Sequence, residues 1–128
     1  NGGSARGSLS GSALGSGQGF FGGEEDLFLE EGLSRDEVGR VIHAHREEIQ
    51  FCYESSLLKN PHVQGKLLMK FTVSSTGRVG TTQVVESEVG NFMEKCLQEK
   101  LAAWNFPKPK GGVTVAVQYP FLFKNIQR

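Results

Sequence analysis

The stretch VTVAVQYPFLF, residues 113–123, lies close to the C-terminus and decides the fold. Its odd-numbered residues are all apolar and fall on one face of an extended strand, whereas Thr114, Ala116 and Gln118 fall on the other face. Pro120 cannot donate a ladder hydrogen bond, and a proline inside a strand usually marks a strand end or a sheet edge. We therefore predict that this stretch is an edge strand.

The residues before this strand predict two helices separated by a hairpin. Ser34 and Glu37 form a capping-box pattern, and apolar residues at helical spacing follow it, so a single long first helix is predicted up to Pro61. Alternation between Leu67 and Val73 predicts a strand, and a turn at residues 74–77 joins it to a second strand. A second helix precedes the break at Pro107.

The predicted order is therefore helix, strand, strand, helix, strand. A fully antiparallel sheet is possible only if the third strand pairs with the first, which gives the spatial order 2-1-3. We predict an α+β domain in which a three-stranded antiparallel sheet carries two helices on one face. The third strand is then an apolar edge without charges between Val113 and Phe123, and we expect its backbone groups to be open to another chain.

The N-terminal quarter of the chain differs in composition from the rest. Residues 1–32 hold ten of the 17 glycines and many serines, so we predict a flexible linker there and a folded domain at residues 33–128. Acidic pairs flank Leu27, Phe28 and Leu29, and this segment is either a docking segment or short strand, or a solvated acidic hinge. The chain begins without methionine, so we expect it to be part of a longer protein.

Charge and motif spacing speak against several functional classes. The linker has one basic and five acidic residues, and residues 33–128 have thirteen basic and nine acidic residues, a mild excess that does not indicate nucleic-acid binding. His43 and His45 are two residues apart on a helix and cannot chelate one metal together, and His62 has no partner in sequence. We find no catalytic or phosphate-binding motif, and we predict no enzyme activity, metal or cofactor.

Several short motifs occur in an order that is typical of one family. They are the Cys52-Tyr53-Glu54 triplet, Gly65-Lys66 at the start of the first strand, the Ser75-Thr76-Gly77-Arg78-Val79 turn, and Trp104, Phe106 and Pro107 after the second helix. With these motifs, residues 33–123 resemble the C-terminal domain of the TonB superfamily. The sequence resembles most closely the myxobacterial branch named after the AgmX/PglI gliding-motility proteins.

The resemblance implies a periplasmic domain of a protein anchored in the inner membrane, working in an envelope-spanning motility or force-transducing machine. It implies that an outer-membrane or periplasmic partner pairs a peptide with the third strand by β-strand addition. The expected peptide-binding residues are Val113, Thr114, Val115, Ala116, Val117, Gln118 and Tyr119. A Gly/Ser-rich linker in place of a proline-rich spacer favours motility over the alternative, TonB-type energy transduction for outer-membrane transport.

The cysteines allow two interpretations. Cys52 lies on the apolar stripe of the first helix and Cys96 on that of the second, so the sulfurs can meet if both helices cover the same sheet face. The alternative is two unpaired buried thiols. The oxidising compartment implied by the resemblance favours a disulfide.

Two other functions compete with partner binding. In the first, the third strand associates with a second copy of the chain to form a homodimer, or the segment DLFLEE at residues 26–31 covers it within the same chain. The second is an enzyme acting on cell-wall material, which would require a deep polar cleft with convergent ionisable groups.

Overall fold

A computed structural model of the chain describes residues 19–23 and 26–125. The elements are β1 (Gly19–Phe21), β2 (Phe28–Leu29), α1 (Arg35–Ala44), α2 (Arg46–Lys59), β3 (Gly65–Val73), β4 (Val79–Ser87), α3 (Gly90–Ala102) and β5 (Val115–Lys124). A short 3-10 turn, Lys110–Gly112, precedes β5. The linker prediction for residues 1–18 lies outside the described residues.

The sheet contains the predicted three-stranded arrangement. Strand β3 pairs antiparallel with β4 on one side and with β5 on the other, so the order 2-1-3 is confirmed for these three strands. The pairing of β3 with β5 is continuous from Gly65 opposite Phe123 to Val73 opposite Val115. The predicted strand count is too low, because β1 and β2 also pair with β5 and the described sheet has five strands.

One hydrophobic core fills the space between the sheet and the helices. The odd-numbered residues of β3 and β5 are buried on one face, while Lys70, Gln118 and other even-numbered residues lie on the more exposed face. The helices contribute the following buried residues to the same core: Val38, Ile42, Ile49, Cys52, Tyr53, Met93, Leu97 and Leu101. Trp104 and Phe106 close this core after α3, and both are almost fully buried.

The predicted single first helix is two helices that meet at His45. The capping box at its start is confirmed, because Ser34 Oγ accepts from the Glu37 N–H at 3.0 Å and Glu37 Oε1 accepts from the Ser34 N–H at 2.9 Å. At His45 the backbone leaves helical geometry, with φ −103° and ψ 15°. The described helices therefore number three, not the two predicted.

At this break, His45 contacts Trp104, which is distant in sequence. The His45 ring stacks on Trp104 with ring centroids 4.4 Å apart, and Glu48 Oε1 accepts a hydrogen bond of 3.0 Å from Trp104 Nε1. The hydrogen bond from Trp104, together with that from His45, holds the pKa of Glu48 below its usual value. Helical periodicity carries no information about such a contact, which explains why the sequence predicted one helix.

Candidate functional site

Strand β5 presents alternate residues to its two neighbours. The Ala116 carbonyl accepts from the Glu30 N–H at 3.2 Å, so the backbone groups of Ala116 point away from β3. Because hydrogen-bonding direction alternates along an antiparallel strand, Gln118 and Leu122 also point outward, whereas Val117 and Phe121 point toward β3. The outward residues of β5 therefore form the edge that another strand can use.

Pro120 belongs to the outward set. In β3, Leu68 lies opposite Pro120. The backbone nitrogen of Pro120 faces away from β3, so its lack of an N–H removes no hydrogen bond between β5 and β3. This placement explains how a proline is tolerated in the middle of a strand of ten residues. It also leaves one position along the edge where a pairing strand finds no donor.

The edge is occupied by the N-terminal part of the chain. We call residues 19–23 and 26–30 the strap. Its first half, β1, pairs antiparallel with β5 so that Phe21 lies opposite Leu122. Its second half, β2, pairs so that Phe28 lies opposite Gln118. The predicted open edge is therefore wrong, and the linker prediction is wrong for the strap. The alternative in which residues 26–31 cover this strand within the same chain is confirmed at Phe28 and Leu29.

The first half of the strap is held by an aromatic contact and a polar contact. The Phe20 ring centroid lies 5.8 Å from that of Phe121 and 5.7 Å from that of Phe123. The Phe20 N–H donates to Gln50 Oε1 of α2 at 3.0 Å. These contacts attach β1 to the core and to a helix as well as to the sheet edge.

The second half of the strap is held by a buried leucine and a carboxylate. Leu27 is only 2% exposed, whereas its neighbour Phe28 is 62% exposed. Burying a leucine completely contributes about 1.5–3 kcal/mol. Glu30 follows, and its Oε1 accepts from the outward Ala116 N–H at 2.9 Å. Leu27 is thus the principal hydrophobic anchor of this half.

The two halves meet over Pro120 and are out of register. From Phe21 to Phe28 the strap advances seven positions while β5 changes only from Leu122 to Gln118, four positions, so the register shifts by three residues. Gly23 lies against Pro120, and a Cβ on Gly23 would overlap the Pro120 carbonyl oxygen. The Gly23 N–H donates to the Tyr119 hydroxyl at 3.3 Å. The strap therefore requires a glycine at this position.

The structure divides the predicted peptide-binding residues into three groups. Val115, Val117 and Tyr119 direct their backbone groups to β3 and their side chains into the core, so they cannot pair with a partner. Ala116 and Gln118 point outward and are paired with the strap. Val113 and Thr114 precede β5 and are exposed.

The prediction missed the part of the edge beyond Pro120. Leu122 and Lys124 lie opposite Phe21 and Gly19, so the usable edge extends on both sides of the proline. The predicted binding residues end at Tyr119, before Pro120, because the proline removes one donor from the edge. The available signal for the strap was the pair Phe20-Phe21 and the segment Leu27-Phe28-Leu29 inside a glycine-rich region.

The helix layer over the core is cross-linked covalently. Cys52 of α2 and Cys96 of α3 form a disulfide, so the preferred interpretation of the cysteines is confirmed. Near it, the Tyr53 hydroxyl donates to the Val63 carbonyl at 2.7 Å, and the Tyr53 ring stacks on Phe123 at 5.0 Å. Burial raises the pKa of Tyr53 to about 12. Tyr53 therefore links α2 to the strand that carries the strap.

The described residues show no group of three or more histidine, cysteine or acidic side chains that could hold a metal ion. His43 Nε2 lies 3.0 Å from Arg46 Nη1, and His45 is engaged by Glu48 and Trp104, so these two histidines do not converge. No helix in the described ranges combines the length and hydrophobicity needed to cross a membrane. The feature that stands out is thus the strapped edge of β5.

Comparison with known proteins gives sequence similarity to one family. No protein-family model matches the chain. The chain is 32% identical over 62 residues to Protein TonB of Pseudomonas aeruginosa, a match that covers 48% of this chain and 18% of that protein. The chain thus spans less than a fifth of this relative's length. The predicted resemblance to the TonB superfamily is confirmed by this similarity, and the AgmX/PglI branch stays a prediction.

Two solved structures are also similar. The solution NMR structure of the Pseudomonas aeruginosa TonB CTD is 28% identical, covers 56% of this chain and 76% of that chain, and has a TM-score of 0.46. The NMR solution structure of the Helicobacter pylori TonB-CTD is 22% identical, covers 76% of this chain and 87% of that chain, and has a TM-score of 0.45.

Proposed function

We propose that this domain, which is similar in sequence to a TonB protein, is a non-enzymatic protein-interaction domain that binds an extended segment of a partner along the β5 edge. The observation that supports the proposal is the strap itself. The edge already accepts an extended chain, in antiparallel orientation, on both sides of Pro120. A partner segment would use the same outward groups by β-strand addition.

The setting of this interaction is part of the proposal. The parent protein is anchored in the inner membrane, the domain lies in the periplasm, and the partner belongs to the same envelope-spanning motility machine. A row of hydrogen bonds loaded together resists pulling better than bonds that break one after another, so strand addition suits force transmission. TonB-type energy transduction for outer-membrane transport is the alternative setting, and the similarity to Protein TonB favours it.

A second candidate function has its own supporting observation. The strap is joined to α1 through Gly32, which has a φ of +124°. Glycine adopts many backbone conformations, so the chain can change direction at Gly32 and carry the strap to a second copy. Exchange of straps between two copies would give a homodimer with the same contacts. Sedimentation of the chain without a partner, at several protein concentrations, distinguishes the two functions. Strap exchange gives a species of twice the monomer mass, whereas a chain that only binds a partner stays monomeric.

The proposal is tested by titrating periplasmic segments of candidate outer-membrane partners into the isotopically labelled chain. We expect shifts of the outward amides of Ala116, Gln118 and Leu122 together with those of the strap. Shifts confined to α3 or to the β3–β4 hairpin, with β5 unchanged, would contradict the proposal.

A further inference from the structure

We infer that the strap is an internal ligand of the β5 edge, which a partner segment replaces, and that the partner therefore carries the chemical pattern of the strap. This inference rests on the proposed function. It adds the class of segment that the edge selects, and it states how the chain limits access to that edge.

The pattern follows from four contacts of the strap. An aromatic residue packs at the place of Phe20, a glycine passes over Pro120 at the place of Gly23, and a leucine-sized residue fills the place of Leu27. A carboxylate three residues after the leucine accepts from the Ala116 N–H, as Glu30 does. The edge thus selects an extended apolar segment with an acidic end, and a glycine is required where the proline provides no donor.

Two other strap residues, Phe21 and Phe28, add little selectivity. Phe28 lies on the more exposed sheet face and is 62% exposed, and Phe21 is 37% exposed. A partner can therefore vary at these two places. This difference between neighbouring residues provides a matched pair of variants, Leu27→Asp and Phe28→Asp, which introduce the same charge one position apart.

The strap can be released without breaking the rest of the sheet. It contributes three residues in β1 and two in β2, with a register shift between them, whereas β5 and β3 pair over nine positions. Segments held by few strand pairs open at a lower free energy than the core does. Because the strap is tethered, it competes at an effective concentration in the millimolar range, about that of short flexible linkers.

The inference is tested on the full chain with a synthetic peptide of residues 19–32 as the probe. A competing segment binds only to molecules whose strap has left β5, so its apparent affinity is the intrinsic affinity multiplied by the fraction of such molecules. We therefore expect the Leu27→Asp chain to bind the labelled peptide at least about tenfold more tightly than the unmodified chain does. The Phe28→Asp chain should bind it as weakly as the unmodified chain.

The bound state is recognised by its spectrum. When the Leu27→Asp chain is saturated with peptide, the amides of Ala116, Gln118 and Leu122 should return to their positions in the unmodified chain. A peptide carrying Leu27→Asp should not bind. The inference would be overturned by equal peptide affinity of the unmodified and Leu27→Asp chains, or by no peptide binding to a folded Leu27→Asp chain.

A second variant covers the case in which Leu27→Asp prevents folding. Gly23→Ala removes no buried side chain but places a methyl group against the Pro120 carbonyl. This chain should also bind the peptide more tightly than the unmodified chain, and equal affinity would count against the inference.

The same variants separate this inference from the proposed function. If the peptide exchanges at the edge and no partner segment binds there, the proposed function fails and the internal ligand stands. If a partner segment binds the unmodified and Leu27→Asp chains equally well at β5, the proposed function stands and the inference fails.

Discussion

Two regions close the same hydrophobic core in different ways. In the helix layer, α2 and α3 are joined by the disulfide between Cys52 and Cys96. At the sheet edge, the strap lies along β5 and is held by non-covalent contacts, chiefly those of Leu27 and Phe20. Helices α2 and α3 cannot separate unless the disulfide is reduced. The strap, in contrast, can leave β5 while the other strands stay paired. We expect exchange with a partner on the strap side alone.

The largest effect that sharpens this comparison comes from removing the disulfide. The cysteines are 44 residues apart, and a loop of that size stabilises the folded state by about 4 kcal/mol in the chain-entropy model. The double variant Cys52→Ala, Cys96→Ala should lose about that much free energy of unfolding in a denaturant titration. A loss below about 1 kcal/mol would show that the disulfide does not make α2 and α3 more firmly held than the strap.

The next largest effect concerns the anchor of the strap. Leu27→Ala should lower the free energy of unfolding by about 2–3 kcal/mol, because it removes a buried leucine. The matched control is Leu58→Ala, since Leu58 is 89% exposed and its loss should stay within about 0.5 kcal/mol. Equal effects of the two substitutions would mean that the strap contributes nothing to stability.

Tyr53 tests the place where the two regions meet. Burial raises its pKa to about 12, so the folded state keeps the proton that the unfolded state loses first as the pH rises past about 10. The stability contribution is complete below pH 10 and is lost as the pH rises toward 12, by about 2 kcal/mol. The Tyr53→Phe chain should lack this part of the alkaline loss. Identical pH profiles of the two chains between pH 9 and about pH 12 would contradict the assigned burial.

The smallest expected effect concerns the acidic end of the strap. Glu30→Ala should cost less than about 1 kcal/mol, because the bond to the Ala116 N–H is exposed to solvent. The Ala116 amide should nevertheless exchange faster in this chain than in the Glu31→Ala control, which removes the same side chain at the next residue. Equal exchange rates would remove Glu30 from the pattern that the edge selects.

The sequence predicted most of the frame of the fold. Alternation in residues 67–73 and 113–123 predicts strands, and the chain order then leaves 2-1-3 as the antiparallel arrangement, which β4, β3 and β5 adopt. The break at His45 could not be predicted, because it depends on stacking with Trp104, a residue distant in sequence. Local periodicity reports on local structure only.

The first half of the strap was hidden for a related reason, whereas the second half, residues 26–30, was one of the stated alternatives for the edge. The residues of the first half lie in a glycine-rich stretch that would not order itself, and this half becomes ordered by pairing with an edge that forms far along the chain. The peptide-binding residues stay a prediction, and of them Ala116 and Gln118 lie on the edge that the strap occupies. The role of Pro120 was misjudged, because the direction of its missing N–H depends on which neighbour each residue of β5 faces.

The central claim, that the strap opens separately from the rest of the sheet, is tested most directly by amide hydrogen exchange along β5 of the full chain. Outward amides of Gln118 and Leu122 and inward amides of Val117 and Phe121 alternate on one strand, so each serves as the control for its neighbour. We predict that the outward amides exchange at least about a hundredfold faster, through local release of the strap. Equal protection of both sets would contradict the claim, because it would mean that the strap leaves only when the whole domain unfolds.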